Sequence, residues 1–265
     1  MALENLSNSI DLEKLPSGPR VLARLTSLVH RPRVELDEVA ELFRADPALI
    51  ARIVAACNSA CYSPEARITE FREALLHLGL REVARIVEIA TLTDLRRYPT
   101  HLYTQTADHF WERSLHTACV MDELSGCDPF AYTAGIMHLI GVWVLCSAAP
   151  PCSSSIAARE LAMQAQLEQL RLGVSFAAAG ALALQKWGFP SAISTAVFCQ
   201  LTPSTCEGTH ARHLATLLHR AVAITDWHYG CKNEISLIRA DLTLPDLEAS
   251  NRRAARQVAR IGFGF

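Results

Sequence analysis

From Leu15 onward the apolar residues of this chain recur at helical spacing, and nowhere do they alternate with period two for long enough to make a strand. That pattern predicts an all-α protein. Val21, Leu22, Leu25, Leu28 and Val29 form a stripe over 19–30, and Leu36, Val39, Ala40 and Phe43 repeat it over 35–44. Asp46-Pro47 reads as a helix start, because the carboxylate can accept from free amides and proline's φ is preset where no donor is needed. The helix it opens buries Leu49, Ile50, Ile53, Val54 and Cys57 and ends near Asn58-Ser59. Thr69 is the expected cap of the next helix, Gly79 its stop, and a further helix covers 80–95. Five short helices thus make an N-terminal bundle over 12–97, with Tyr98-Pro99-Thr100 as linker.

The second half predicts helices over 105–125, 130–138, 140–148, 156–172, 175–187, 191–200 and 209–229, which form a second lobe over 101–230. Their boundaries are Gly126-Cys127-Asp128-Pro129, a polar break at His138, the loop from Pro150 to Ser155, Gly173, and Gly188-Phe189-Pro190. Residues 231–265 form an extension with one basic helix over 244–261. No fixed-period repeat is visible.

Composition narrows the function classes. A net charge of −2 gives no overall pull toward nucleic acid or an anionic membrane. There is no basic n-region before an apolar run, and by this reading no segment approaches the ~18 uncharged apolar residues of a membrane span. Neither a secretory signal nor a transmembrane helix is therefore expected. The nine cysteines are scattered singly without a CxxC pair, which points to reduced, mostly buried thiols in a cytoplasmic protein and to no structural zinc.

Candidate chemistry is sparse. His109 and His116 lie seven apart on one predicted helix and read as solvated or half-buried. His210 and His213 have metal-ligand spacing, with His219 nearby, but no acid or cysteine follows on that face. Ser153-Ser154-Ser155 has no flanking glycines and reads as loop, and the dispersed glycines make no phosphate cradle. Arg81, Arg85, Arg96 and Arg97 are offset by Glu82, Glu88 and Asp94 and read as a solvated face. Arg252, Arg253, Arg256 and Arg260 are less diluted and suit an acidic partner or phosphates.

Several stretches, taken in order, resemble the HD-related output domain (HDOD) family. They are Leu15-Pro16, then Asp46-Pro47-Ala48-Leu49 with Asn58-Ser59-Ala60 and Tyr62, then Ile68-Thr69, Ala74 and Leu78-Gly79. The second half adds Phe110-Trp111 with Ser114, Ala134-Gly135-Ile136-Met137-His138 with Ile140-Gly141, then Gly180 and Trp187-Gly188-Phe189-Pro190. The resemblance covers about residues 12–230. It implies a two-lobed helical fold, with the bundle packed on a degenerate HD-like lobe. It also marks Asn58, Ser59, Trp111, Gly135, Gly141 and Trp187 as structural motif residues.

The departures from the related metal-dependent HD phosphohydrolases carry the functional expectation. Those enzymes draw ligands from an early His, an adjacent His-Asp pair, later histidine positions and a final Asp. The matching places here read Arg113, His138-Leu139, Ser175-Phe176, Cys199-Gln200 and Asp226. Leucine has no lone pair for a cation, and Arg113 adds like charge. The resemblance thus implies a non-catalytic bacterial signalling module without metal or cofactor. It would act in trans, reusing the cleft around Arg113, His138 and Asp226 for packing, a ligand or a partner. The partners it implies are a diguanylate cyclase, a phosphodiesterase, a histidine kinase or a response regulator. Two other readings stand beside it: a residual phosphohydrolase of nucleotides or cyclic dinucleotides, and a nucleic-acid binder using the arginine helices. At the residue level, His138 and Asp226 can also simply hydrogen-bond each other or the backbone. Oligomeric state, and whether 231–265 folds on the domain, stay open.

Overall fold

The structure, a computed structural model, describes residues 18–29, 31, 33–44, 46–59, 62, 67–126, 128–150, 155–157, 160–231 and 240–262. Leu15-Pro16, Ala60, Cys127, Ser153-Ser154 and the side chain of Arg260 lie outside the described residues. The elements are α1 (Gly18–Val29), α2 (Leu36–Phe43), α3 (Pro47–Cys57), α4 (Phe71–Leu95), α5 (Ala107–Leu124), α6 (Ala131–Met137), α7 (Ile140–Ala148), α8 (Leu161–Leu172), α9 (Phe176–Trp187), α10 (Ser191–Phe198), α11 (Thr209–His228) and α12 (Leu244–Gly262). The fold is all-α and two-lobed.

In the first lobe, α1 to α3 pack around α4. Asp46 caps α3, its Oδ1 accepting from Leu49 N at 3.0 Å, with Pro47 in the first turn. Asn58 then ties the chain down. Its Oδ1 accepts from Ile68 N at 2.9 Å, and its Nδ2 donates to the carbonyls of Ile68 (2.7 Å) and Val54 (2.8 Å). Ser59 N donates to Ala56 O at 2.9 Å in the same turn. Thr69 does not cap the next helix: Glu70 holds that place, without a side-chain bond. Gly79 interrupts α4 with φ 76° and ψ 161°, so the two helices read from sequence run on as one element with a kink.

In the second lobe Thr106 caps α5, accepting from His109 N at 3.2 Å, and Ser175 caps α9, accepting from Ala178 N at 3.3 Å. Ile156 was expected inside a helix. It forms instead an isolated parallel bridge with Tyr103, donating to Leu102 O at 2.7 Å and accepting from Thr104 N at 3.1 Å. Trp111 joins the lobes, its Nε1 donating to Thr93 Oγ1 at 3.4 Å while Arg96 lies 4.9 Å over its ring. Of the extension beyond Gly230, α12 packs onto the second lobe. Leu247, Ser250 and Ala254 of α12 are buried, and Ser250 and Arg253 both donate to Glu123 of α5.

One stretch, 131–148, is long and apolar enough to cross a membrane, contrary to the sequence expectation. His138-Leu139 divides it into α6 and α7, and 89% of it is buried inside the protein. Its packing depends on glycine. A Cβ on Gly141 would lie 1.8 Å from the carbonyl oxygen of Phe176, and one on Gly135 would lie 2.5 Å from Ala118 Cα. Helices α7 and α9 therefore touch backbone to backbone, as do α6 and α5. Gly141→Ala is expected to destabilise the protein by about 3 kcal/mol, because backbone rather than a flexible side chain must move. Denaturant unfolding measures this, and an unchanged midpoint would contradict the contact.

Candidate functional site

The site lies where α5 meets the C-terminal end of α11, next to the break between α6 and α7. Arg113 projects from α5 and Asp226 from α11, and the two form a direct ion pair. Both are buried, at 3% and 8% exposure. Burial pulls the Arg113 guanidinium below its ordinary value, partly offset by Cys231 and Tyr229 beside it. An arginine nevertheless keeps its proton in a protein, so the pair is charged. The ring of Tyr229 lies 5.9 Å from the guanidinium carbon, and Cys231 N donates to Asp226 O at 2.8 Å.

His138 ends α6 and is 1% exposed. Its Nδ1 lies 2.6 Å from Gly135 O, and a carbonyl can only accept, so Nδ1 carries the proton. Burial pushes the imidazole down to about 3, aided by the Arg113 charge and opposed by the Gly135 bond. His138 and Asp226 therefore do not bond each other: each is satisfied separately. Gln200, at one of the places where the related enzymes carry histidine, donates from Nε2 to His138 O at 3.1 Å and to Val197 O at 2.8 Å. His219 Nδ1 lies 2.9 Å from Gln200 O.

One turn further along α5, His116 is 1% exposed, not half-buried as the sequence suggested. Its Nδ1 lies 3.0 Å from Thr225 Oγ1, which also accepts from Thr117 Oγ1 at 3.0 Å. Its ring stacks on His228 with centroids 4.5 Å apart. Burial first, then the charges of His228 and Arg113, push His116 down to about 3. Thr117 lies one turn after Arg113 on the same face of α5, and Thr225 directly precedes Asp226 on α11. Sequence spacing alone does not say that the two faces meet.

Other expectations change similarly. Glu88 is buried at 2% exposure and hydrogen-bonded to the Thr133 hydroxyl, so it is no surface counter-charge. Asp94 pairs with Arg52 at 2.9 Å. His210 does meet an acid, Asp128 at 2.8 Å, supplied by the turn before α6 rather than by its own helix. Trp187 is buried at the end of α9.

A metal centre of the HD type requires several oxygen or nitrogen donors facing one point. Here Leu139 is fully buried in the apolar core, Phe176 likewise, and Asp226 is held by a permanent cation. The Cys199 thiol is pushed up by burial and by Cys206. Among the described residues no group of three or more His, Cys, Asp or Glu side chains is placed to hold a metal ion. This donor set does not fit such a centre.

Residues 15–203 match the family model of the HDOD domain. The chain belongs to the HDOD family. Solved structures with the same fold include a candidate phosphohydrolase from Shewanella amazonensis SB2B, 22% identical with a TM-score of 0.67 over 96% of this chain and 93% of that one. A candidate signal transduction protein from Marinobacter aquaeolei VT8 is 19% identical with a TM-score of 0.72; 99% of this chain matches 64% of that longer one. An HDOD domain protein of unknown function from Geobacter sulfurreducens is 21% identical, with a TM-score of 0.65 over 96% and 87%. Comparison with curated proteins finds no match.

Two outcomes are expected of this HDOD site. Arg113→Leu strands the Asp226 carboxylate in the interior and should cost about 3–5 kcal/mol, while the double variant with Asp226→Leu recovers most of that loss. Urea unfolding of the two single variants and the double variant measures it, and additive losses would contradict a direct pair. The second concerns acid. His138 has a folded value near 3 against 6.5 unfolded, so stability present above pH 6.5 is lost as pH falls toward 3. His138→Asn should flatten part of that slope, with His116 supplying the rest; an unaltered slope would sink the assignment.

Proposed function

We propose that this HDOD protein is a non-catalytic regulatory module of bacterial signal transduction, acting in trans through protein–protein contact. The observation that carries the reading is the buried Arg113–Asp226 ion pair, in which two positions that match HD metal ligands by family resemblance hold each other instead. A hydrolase of that class needs an ion with open coordination positions to polarise phosphate and activate water. A guanidinium supplies charge but no coordination position. His138, neutral and turned toward Gly135 O, offers no cation to a phosphate either.

Membership of the HDOD family and the structural likeness to the Marinobacter signal transduction candidate support a signalling role. The partners that fit are the enzymes and switches of such systems: a diguanylate cyclase, a phosphodiesterase, a histidine kinase or a response regulator. Met163 and Leu170 are exposed on one side of α8, seven residues apart, and give a partner an apolar surface there. Pairwise interaction assays against purified proteins of those four classes test the reading, with Leu170→Glu expected to weaken the positive pair. Hydrolysis assays with manganese or iron on cyclic dinucleotides and nitrophenyl phosphate provide the opposing test. Background turnover that His138→Ala leaves unchanged is expected; metal-dependent turnover abolished by His138→Ala would overturn the proposal.

A further inference from the structure

The lobes also meet between α1 and α9, and a groove of about 330 Å³ opens there. Arg20, Val21 and Arg24 of α1 and Leu42 of α2 line it from the first lobe, Lys186 and Trp187 at the end of α9 from the second. Its deeper wall is apolar: Trp187 is 7% exposed, and Val21 and Leu42 are half-buried. The three cationic side chains are exposed, so their stems cover the wall while their charged heads stay in water at the mouth.

The charge there is of one sign. Among the described residues no carboxylate lines the groove, and neither α1 nor α9 contains an acid. The three acids of α2 are each taken by an arginine elsewhere: Asp37 by Arg72, Glu38 by Arg31 at 2.7 Å and Glu41 by Arg44 at 2.6 Å. Arg20 and Arg24 have no ion-pair partner among the described residues. They lie one turn apart on the same face of α1, where like charges repel. Arg20 also stands in the first turn, at the positive end of the helix dipole. An anion at the mouth relieves both repulsions.

Size and chemistry narrow the anion. A groove of this volume falls in the range of small-molecule sites. Two guanidinium forks on adjacent turns offer more donors than one carboxylate accepts, and they match the oxygens of phosphate groups. The wall of Val21, Leu42 and Trp187 gives nothing to a bare inorganic ion and needs a flat apolar body against it. A net charge of −2 supplies no wider field for an extended polyanion.

We propose that this interlobe groove binds a nucleoside phosphate, with Arg20 and Arg24 on the phosphate groups and Val21, Leu42 and Trp187 against the base. Because α1 and α2 belong to the first lobe and α9 to the second, the occupant touches both lobes and ties them together. The site is separate from the Arg113–Asp226 pair and asks no hydrolysis of what it holds.

Isothermal titration of the full chain with ADP and GDP, and with adenosine and sodium pyrophosphate as the two halves, tests the site. Saturable one-to-one binding of a nucleoside diphosphate is expected, with adenosine and pyrophosphate each at least about tenfold weaker because each lacks one part of the recognition. Arg20→Ala and Arg24→Ala should each weaken the diphosphate about tenfold by removing charge-assisted donors. Arg256→Ala, which removes an exposed cation on α12, should leave the affinity unchanged. Absence of saturable heat for both diphosphates, or affinity unaltered by both α1 variants, would overturn the proposal. So would pyrophosphate binding as tightly as the diphosphates, which marks a bare anion site, or a short polyglutamate peptide binding more tightly, which marks a protein-docking surface.

Discussion

The second lobe depends on a charge that cannot leave. Arg113 and Asp226 come from helices more than a hundred residues apart in sequence, and each would be costly to bury alone. Once paired, they add a fixed charge beside two buried histidines. Burial, with a smaller contribution from the guanidinium, holds His138 and His116 neutral, which lets both rings serve as hydrogen-bonding groups inside the core. A metal ion is bound from solution and can be lost. A side-chain cation is present in every folded molecule, so the Arg113–Asp226 pair fastens α5 to α11.

Around that fastening the backbone is packed without slack. Gly135 and Gly141 flank His138 and press α6 onto α5 and α7 onto α9, so the histidine is carried on a rigid turn. Gln200 closes it from below through the His138 carbonyl. The motif residues of the family thus read here as packing residues: small ones where backbones touch, Asn58 where a loop needs pinning, Trp111 where the lobes meet.

Much of the fold was legible in the sequence because helix starts and stops are local. Asp46-Pro47, Asn58, Gly79, the break at His138 and the turn at Gly188 each act within one turn of chain, and each appears where the residues placed it. Apart from the cap expected at Thr69, which falls one residue later at Glu70, the failures are non-local. Ile156 looked helical by period but pairs with Tyr103, an extended contact set by tertiary packing. Glu88 and His116 looked like surface residues on amphipathic helices, and only the partner helices, carrying Thr133 and Thr225, make their burial tolerable. At the cleft, residue types revealed that metal donors were missing. They did not reveal that Arg113 and Asp226 satisfy one another, because that requires the distance between two helices.

The most direct measurement is metal affinity. Untagged protein would be assayed for iron and manganese by elemental analysis and then titrated calorimetrically with manganese. Near-zero stoichiometry and no saturable heat are expected, because Arg113 already occupies the charge of the site. One or two equivalents bound per chain, and lost in His138→Ala, would contradict the substitution of a guanidinium for the metal.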